Sequence, residues 1–234
     1  MYILAIDTSI SVLTCAVSKD DKILAEEYSD VNKTHSTGLM PMVDSILKKA
    51  CLDIKDIDAF SCTVGPGSFT GLRIGVATVK AFAQAGKKAC VAVDTLEALA
   101  QNGVLFEGRI CPMIDARHGE VYSATFESNA DEIKRITDTE AYLVSELLLN
   151  MPKVKTLFLG DGADVNEEEI KEVFKENAYF AKKGMRYNRA SSIISIAFNK
   201  INEGKTISFY DLTPVYVKKT QAERNLDNKD EDLV

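Results

Sequence analysis

The stretch from Tyr2 to Tyr28 reads YILAIDTSISVLTCAVSKDDKILAEEY and decides the fold. Residues 2–7 are apolar up to Asp7, which is typical of a buried strand. Residues 12–18 and 23–28 predict two further strands, and the connections between the three are too short for crossovers. The sequence therefore begins with an antiparallel three-stranded meander.

A comparable order of elements recurs later in the chain. In both places a buried strand ends in an acid, Asp7 or Asp115, and begins a hairpin. The elements predicted after the first meander are a helix over 35–51, a strand over 58–64, a helix over 72–84, a strand over 89–94, a helix over 95–102, strands over 109–115, 120–126 and 133–137, a helix over 145–150, a strand over 154–159, and helices over 165–177 and 190–203. This repetition predicts an α/β protein with two similar lobes, each a mixed sheet with a meander plus helices. Two unrelated meanders in one mixed chain are the alternative.

The expected lobe boundaries follow from that repeat. Residues 1–103 form the first lobe and residues 104–203 a second, smaller one. Residues 204–219 are candidates for a segment that returns to the first lobe. Residues 220–234, rich in Asp, Glu, Asn and Lys, are expected to be a flexible tail.

Composition excludes several classes of protein. Hydrophobic residues make up 46% of the 234 residues, as in a globular protein, and the net charge of −7 disfavours direct binding of nucleic acid. No basic leader or apolar run of about 20 residues is present, so we expect a cytoplasmic protein without a membrane span. The five cysteines have no C-x-x-C spacing and are expected to be free thiols.

Two loops are candidates for binding an anion or a nucleotide. Asp7, Thr8 and Ser9 follow a strand, where a carboxylate and hydroxyls can hold a phosphate with its metal. Gly65, Gly67 and Ser68 lie in a glycine-rich loop that leads into a helix, whose free N–H groups can bind an anion. The segment lacks the Lys-Ser/Thr of a P-loop. Ordinary turn chemistry, with Ser68 as a helix N-cap, is the alternative.

Catalytic and metal-binding patterns are missing from the sequence. Its two histidines, His35 and His118, do not form a metal-binding pair, and no Ser-His-Asp set can be assembled. We therefore expect no catalytic residue, no metal site and no cofactor in this chain.

The two helices of the first half have unusually broad apolar faces. Apolar residues spread around most of the helix at 72–85, and the helix at 39–50 is similarly broad. Such a helix needs a second apolar surface, either in a partner or within its own chain. Both alternatives stay open from the residues alone.

The order of several motifs resembles the TsaB family. These motifs are Ile6-Asp7-Thr8-Ser9, His35-Ser36 with Leu39 and Pro41, GPGSFTGLRIG at 65–75, Ala77 to Ala83, and Pro214 with Tyr216. The resemblance extends from the first residue to about 224, and the GPGSFTGLRIG string is its most specific part. It implies an actin-like (ASKHA, ribonuclease H-like) fold.

The resemblance also implies a function and partners. TsaB-like proteins are non-catalytic paralogues of TsaD, which transfers a threonylcarbamoyl group to adenosine 37 of tRNAs that read codons beginning with A. They bind and activate TsaD, form homodimers when alone, are joined by a TsaE-like ATPase and meet tRNA only through the complex. A nucleotide at the partner junction is a further candidate. The interface implied here comprises His35, Leu39, Met42, Val43, Ile46, Ile74, Ala77, Lys80, Ala81 and Phe82.

Three other functions remain open from the sequence. An actin-like-fold nucleotide-binding enzyme, such as a small-molecule kinase or ATPase, would use Asp7 and would bind ATP on its own. A metallopeptidase would hold a metal, which the two histidines do not favour. A homodimer with its own regulatory role would form no contact with a TsaD-like protein.

Overall fold

The opening meander is present at the centre of the first lobe. The computed structural model describes residues 1–30 and 35–218. Strands β1 (Tyr2–Asp7), β2 (Leu13–Lys19) and β3 (Lys22–Ser29) pair antiparallel in sequence order. β1 is almost entirely buried because both faces of the sheet are covered.

The following elements complete the first sheet and cover one of its faces. They are α1 (His35–Lys49), β4 (Ala59–Gly65), α2 (Phe69–Gly86), β5 (Ala89–Asp94) and α3 (Thr95–Gln101). β4 and β5 add in parallel, so the strand order is β3-β2-β1-β4-β5. α1 and α2 pack on one face over Leu4 and Ile6. α3 packs between the lobes, where Leu96 and Leu99 share a core with Ile114.

The second lobe repeats the strand order of the first. Its elements are β6 (Gly108–Asp115), β7 (Glu120–Ser123), β8 (Phe126–Ser128), β9 (Ile133–Arg135), β10 (Glu140–Leu143), α4 (Val144–Asn150), β11 (Thr156–Leu159), α5 (Asp161–Val165), α6 (Glu167–Phe174) and β12 (Ala178–Phe180). The order β10-β7-β6-β11-β12 has the same antiparallel and parallel pairings as the first sheet. β8 and β9 form a hairpin attached to β6.

Two predictions about the second lobe are wrong in detail. The segment predicted as the third meander strand, 133–137, lies in the attached hairpin, and β10 takes the third position beside β7. The helix predicted over 165–177 is shorter in the structure, where α6 begins at Glu167 and ends at Phe174, and the separate helix α5 precedes it. The hairpin is therefore an insertion into a pattern that both lobes share.

The packing of the last helix shows that the second lobe does not extend to residue 203 as predicted. α7 (Ala190–Asn202) follows the second lobe in sequence but packs on the first sheet, where Ile193 and Ile194 lie in one core with Ile3 and Val91. Since side chains alternate between the faces of a strand, this face is opposite to that covered by α1 and α2. The helix therefore belongs to the first lobe.

The segment after α7 continues along the first lobe. Cys90 and Ile207 exchange two backbone hydrogen bonds of 3.0 and 2.9 Å, and the N–H of Val215 donates to the carbonyl of Val64 at 2.7 Å. The tail predicted over 220–234 lies outside the described residues. Over residues 1–30 and 35–218, no helix is long and apolar enough to cross a bilayer.

Candidate functional site

A cleft of about 560 Å³ lies between the two lobes. The turn after β1 and the start of α2 line it from the first lobe, and the end of β6 with its following turn lines it from the second. An interlobe cleft of this size is the first place to look for a ligand. Its polar and charged lining residues include Ser9, Ser68, Thr70, Asp115, Arg117, Asp161 and Lys218.

The carboxylate of Asp7 lies below the floor of this cleft. Asp7 is 0% exposed, and its Oδ1 accepts hydrogen bonds from the backbone N–H of Ser9 at 2.6 Å and the hydroxyl of Thr63 at 2.7 Å. Its Oδ2 accepts a hydrogen bond from the side-chain amide of Asn188. Protein donors therefore contact both oxygens of Asp7, and its predicted role in binding an anion or nucleotide stays a prediction.

The glycines after β4 fit against the turn that contains Thr8 and Ser9. A Cβ at Gly67 would collide with the carbonyl oxygen of Ser9, and one at Gly71 would collide with that of Thr8. Gly75 meets the hydroxyl of Thr8 in the same way. These glycines are therefore required for the close packing of the two chain segments.

Hydrogen bonds join the same two segments. The N–H of Ser68 donates to the carbonyl of Ser9 at 2.6 Å, and the hydroxyl of Thr8 donates to the carbonyl of Gly71 at 2.7 Å. Ser68 also caps α2, since its hydroxyl accepts from the N–H of Gly71 at 3.2 Å.

The structure thus brings all six predicted anion-binding residues together. Among them, Ser9, Gly67 and Ser68 line the cleft, whereas Asp7, Thr8 and Gly65 are buried and lie outside its lining. The three buried residues form the joint beneath the cleft, and their part in binding an anion stays a prediction.

The second lobe contributes two carboxylates that were not predicted as site residues. Asp115 is exposed at the end of β6, in the position that Asp7 has in the first lobe. Oδ1 of Asp161 accepts from the N–H groups of Asp115 at 3.0 Å and Gly162 at 2.9 Å. Burial raises the pKa of Asp161 to about 6, and the nearby charge of Asp115 acts in the same direction. The repeat already matched Asp115 to Asp7 and could have identified it.

The cysteines are unpaired, and four of them are buried. Burial raises the pKa of Cys90 to about 11 and that of Cys111 to about 12, and it raises the pKa values of Cys15 and Cys62 still further. These thiols are not activated nucleophiles, because a thiolate is costly at such positions. Within the described parts of the chain, no group of three His, Cys, Asp or Glu side chains has metal-binding geometry.

Burial divides the predicted partner interface into two groups. Leu39, Met42, Val43 and Ile46 are between 0% and 8% exposed and belong to the first-lobe core. These four positions are corrected: they occupy the face of α1 that packs on its own sheet, so they offer no surface to a partner. Ala77 and Ala81 on α2 are exposed, and the half-buried positions are Ile74, Lys80 and Phe82.

Two residues of α1 also bear on the predicted interface. Met40 is 51% exposed on α1. His35 is half-buried, and its Nε2 lies 2.9 Å from the carbonyl oxygen of Ile10. His35 therefore anchors the start of α1 to the turn between β1 and β2.

Comparison with known proteins gives consistent matches over nearly the whole chain. A family model described as TsaD, tRNA N6-adenosine threonylcarbamoyltransferase, matches residues 23–226. The tRNA threonylcarbamoyladenosine biosynthesis protein TsaB of Bacillus subtilis is 31% identical, over 95% of this chain and 96% of that protein. The TsaB protein of Escherichia coli is 30% identical, over 98% of this chain and 100% of that protein.

Solved structures share the fold. YeaZ from Pseudomonas aeruginosa superposes with a TM-score of 0.80 at 24% identity and covers 92% of this chain and 99% of its own. Component A of the (R)-2-hydroxyglutaryl-CoA dehydratase of Acidaminococcus fermentans has a TM-score of 0.51 at 11% identity, over 86% of this chain and 99% of its own. The expected actin-like fold with two lobes is confirmed.

Proposed function

The chain belongs to the TsaB family, within the TsaD family of domains, and on that premise we propose that it is a non-catalytic subunit in tRNA threonylcarbamoyladenosine biosynthesis. It binds and activates a TsaD-like threonylcarbamoyltransferase, which modifies adenosine 37 of tRNAs that read codons beginning with A. The observation that carries this proposal is the exposed row of residues on α2 that contains Ala77 and Ala81.

This face of α2 consists of residues at helical spacing that are exposed within residues 1–30 and 35–218. Arg73, Ala77 and Ala81 are exposed and lie in one row, because residues four apart share a face of a helix. The small alanines allow a partner helix to approach closely. Met40 adds an adaptable apolar contact from α1. We call this surface, made by Met40, Arg73, Ala77 and Ala81, the α2 face.

A TsaD-like partner suits the α2 face. Two proteins with the same fold can present the same pair of helices to each other, and the contact is then nearly symmetric. The same geometry supports a homodimer when the chain is alone. The buried rows of α1 and α2, including Val43 and Val79, hold the two helices rigidly on the sheet.

The proposed assembly also includes tRNA, a TsaE-like ATPase and a nucleotide. The net charge of −7 favours contact with tRNA through the partner instead of through this chain. We expect a TsaE-like ATPase to join the complex and a nucleotide to bind at the junction of the subunits.

The alternative of a kinase or ATPase receives less support from the site. Such an enzyme would need an accessible carboxylate at the end of β1 to position a hydrated metal ion. Asp7 is enclosed by Ser9, Thr63 and Asn188. ATP hydrolysis by the purified chain, measured alone, tests this alternative.

Reconstitution tests the proposed function. The chain is mixed with the TsaD-like and TsaE-like proteins of the same organism, tRNA and the threonylcarbamoyl adenylate donor. Formation of threonylcarbamoyladenosine is then measured by mass spectrometry of the nucleosides. We expect omission of this chain to abolish the product, and equal product with and without the chain would reject the proposal.

A further inference from the structure

Residues 215–218 pass from the first lobe to the second along the cleft. Their first anchor is the hydrogen bond of 2.7 Å from the N–H of Val215 to the carbonyl of Val64. Gly65 permits this close approach, since a Cβ there would collide with the carbonyl oxygen of Val215. All four residues line the cleft. The segment is therefore fixed to the end of β4 on one side.

Tyr216 provides a second anchor on the first lobe. Its ring stacks on Phe69, with the ring centroids 4.8 Å apart, and its hydroxyl accepts a hydrogen bond of 3.0 Å from Nε of Arg73. The guanidinium carbon of Arg73 lies 3.9 Å from the centroid of Phe69, so the three side chains form one cluster. Such stacking and cation–π contacts each add to the stability of the arrangement.

Lys218 provides the anchor on the second lobe. Its Nζ lies 2.5 Å from Oε2 of Glu120 and 5.5 Å from the ring centroid of Tyr122. Its side chain is only 14% exposed, so solvent screens this ion pair less than an ordinary surface pair. Glu120 begins β7, which places the contact on the turn that bounds the cleft.

We propose that residues 215–218 form an interlobe latch that holds the two lobes at a fixed spacing. The latch contacts both walls of the cleft, so a change in the angle between the lobes must break either the Tyr216 cluster or the Lys218 ion pair. Arg73 belongs to both the latch and the α2 face, one helical turn from Ala77. A structural change at the α2 face can therefore reach the cleft through Arg73.

Hydrogen–deuterium exchange of the full chain tests the latch. In Tyr216→Ala and Lys218→Ala we expect about fivefold faster exchange in peptides from residues 66–73 and 115–123, because loss of one or two such contacts makes local opening more frequent. Exchange in the central strands β1 and β11 should stay unchanged. The matched control is Lys205→Ala, which removes an exposed ion pair with Glu203 away from the cleft.

The pattern of exchange decides the proposal. Faster exchange on both walls of the cleft in either latch variant supports it, and Tyr216→Phe should give a smaller increase because it keeps the stacking and loses only the hydroxyl. Unchanged exchange on both walls in both alanine variants would overturn it. A uniform increase that includes β1 and β11 would also overturn it, since this indicates a general loss of stability and no local latch.

Discussion

At the scale of single residues, the glycines at 65–75 have a steric role. Gly67 and Gly71 touch carbonyl oxygens of the turn after β1, and Gly65 touches the segment at Val215. The sequence showed that the string was unusual, but a run of glycines looks the same whether it approaches a phosphate or a neighbouring backbone. Only the tertiary contact with Thr8 distinguishes the two.

Replacement of Gly71 by alanine tests this role. Inside a helix this change normally stabilises a protein. Here we expect it to lower the free energy of unfolding by about 1–3 kcal/mol, because the new methyl group overpacks against Thr8. Urea unfolding measures the change. Gly184→Ala is the control, since nothing lies within 4 Å of a Cβ at that position. Equal stability of the two variants would contradict the steric account.

The raised pKa of Asp161 predicts that the stability of the chain depends on pH. Its pKa of about 6 in the folded chain lies above the ordinary value of 3.8, so the folded state binds this proton more tightly than the unfolded chain. The contribution of Asp161 to stability is therefore present at pH 4 and is lost as the pH rises through 6.

The variant Asp161→Asn should remove that contribution while its carbonyl oxygen still accepts from Asp115 and Gly162. Relative to wild type, we expect the variant to gain about 1 kcal/mol of stability between pH 4 and pH 7. Urea unfolding at a series of pH values measures the difference, with Asp21→Asn as an exposed control. A difference from wild type that does not vary with pH would count against the raised pKa.

At the scale of elements, α1 and α2 show what periodicity can and cannot predict. The apolar row Leu39, Met42, Val43 and Ile46 predicts a helix and its buried face. It does not say whether the sheet below or a partner above covers that face. A helix buries its widest apolar stripe against its own sheet first. The narrower row on α2, at Ala77 and Ala81, is exposed in the part of the chain that the structure describes, and it is the surface that we propose for a partner.

Two substitutions separate these helix faces. Val43→Glu should unfold the chain or cost more than about 3 kcal/mol, because it places a carboxylate in the core. Ala77→Glu should leave the free energy of unfolding within about 0.5 kcal/mol of wild type and abolish binding to the TsaD-like partner. Circular dichroism reports folding and gel filtration reports the complex.

Leu149→Glu is the matched control for Ala77→Glu. Leu149 lies on α4 in the second lobe and is 76% exposed, so the same charge is introduced away from the α2 face. This control should bind the partner normally. Normal binding by Ala77→Glu, or loss of binding by Leu149→Glu, would argue that the partner contacts another surface.

At the scale of the whole molecule, the two lobes follow from a repeat that the sequence reveals. The meanders, and the acids Asp7 and Asp115 at the strand ends, were enough to predict two similar sheets. The position of α7 was not predictable from its place in sequence. The first sheet contains parallel strands that need cover on both faces, and α7 supplies the second cover. Whether a helix packs on that face depends on the assembled sheet, so the local sequence of α7 does not indicate it.

We propose that the chain acts through its α2 face and not through chemistry in its cleft. The most direct test is the amount of threonylcarbamoyladenosine formed in the reconstituted reaction by two variants. One is Ala77→Glu, and the other is the cleft double variant Asp115→Asn with Arg117→Ala. We predict that Ala77→Glu abolishes product formation and that the cleft variant retains it. Full product with Ala77→Glu, together with its loss in the cleft variant, would contradict the account.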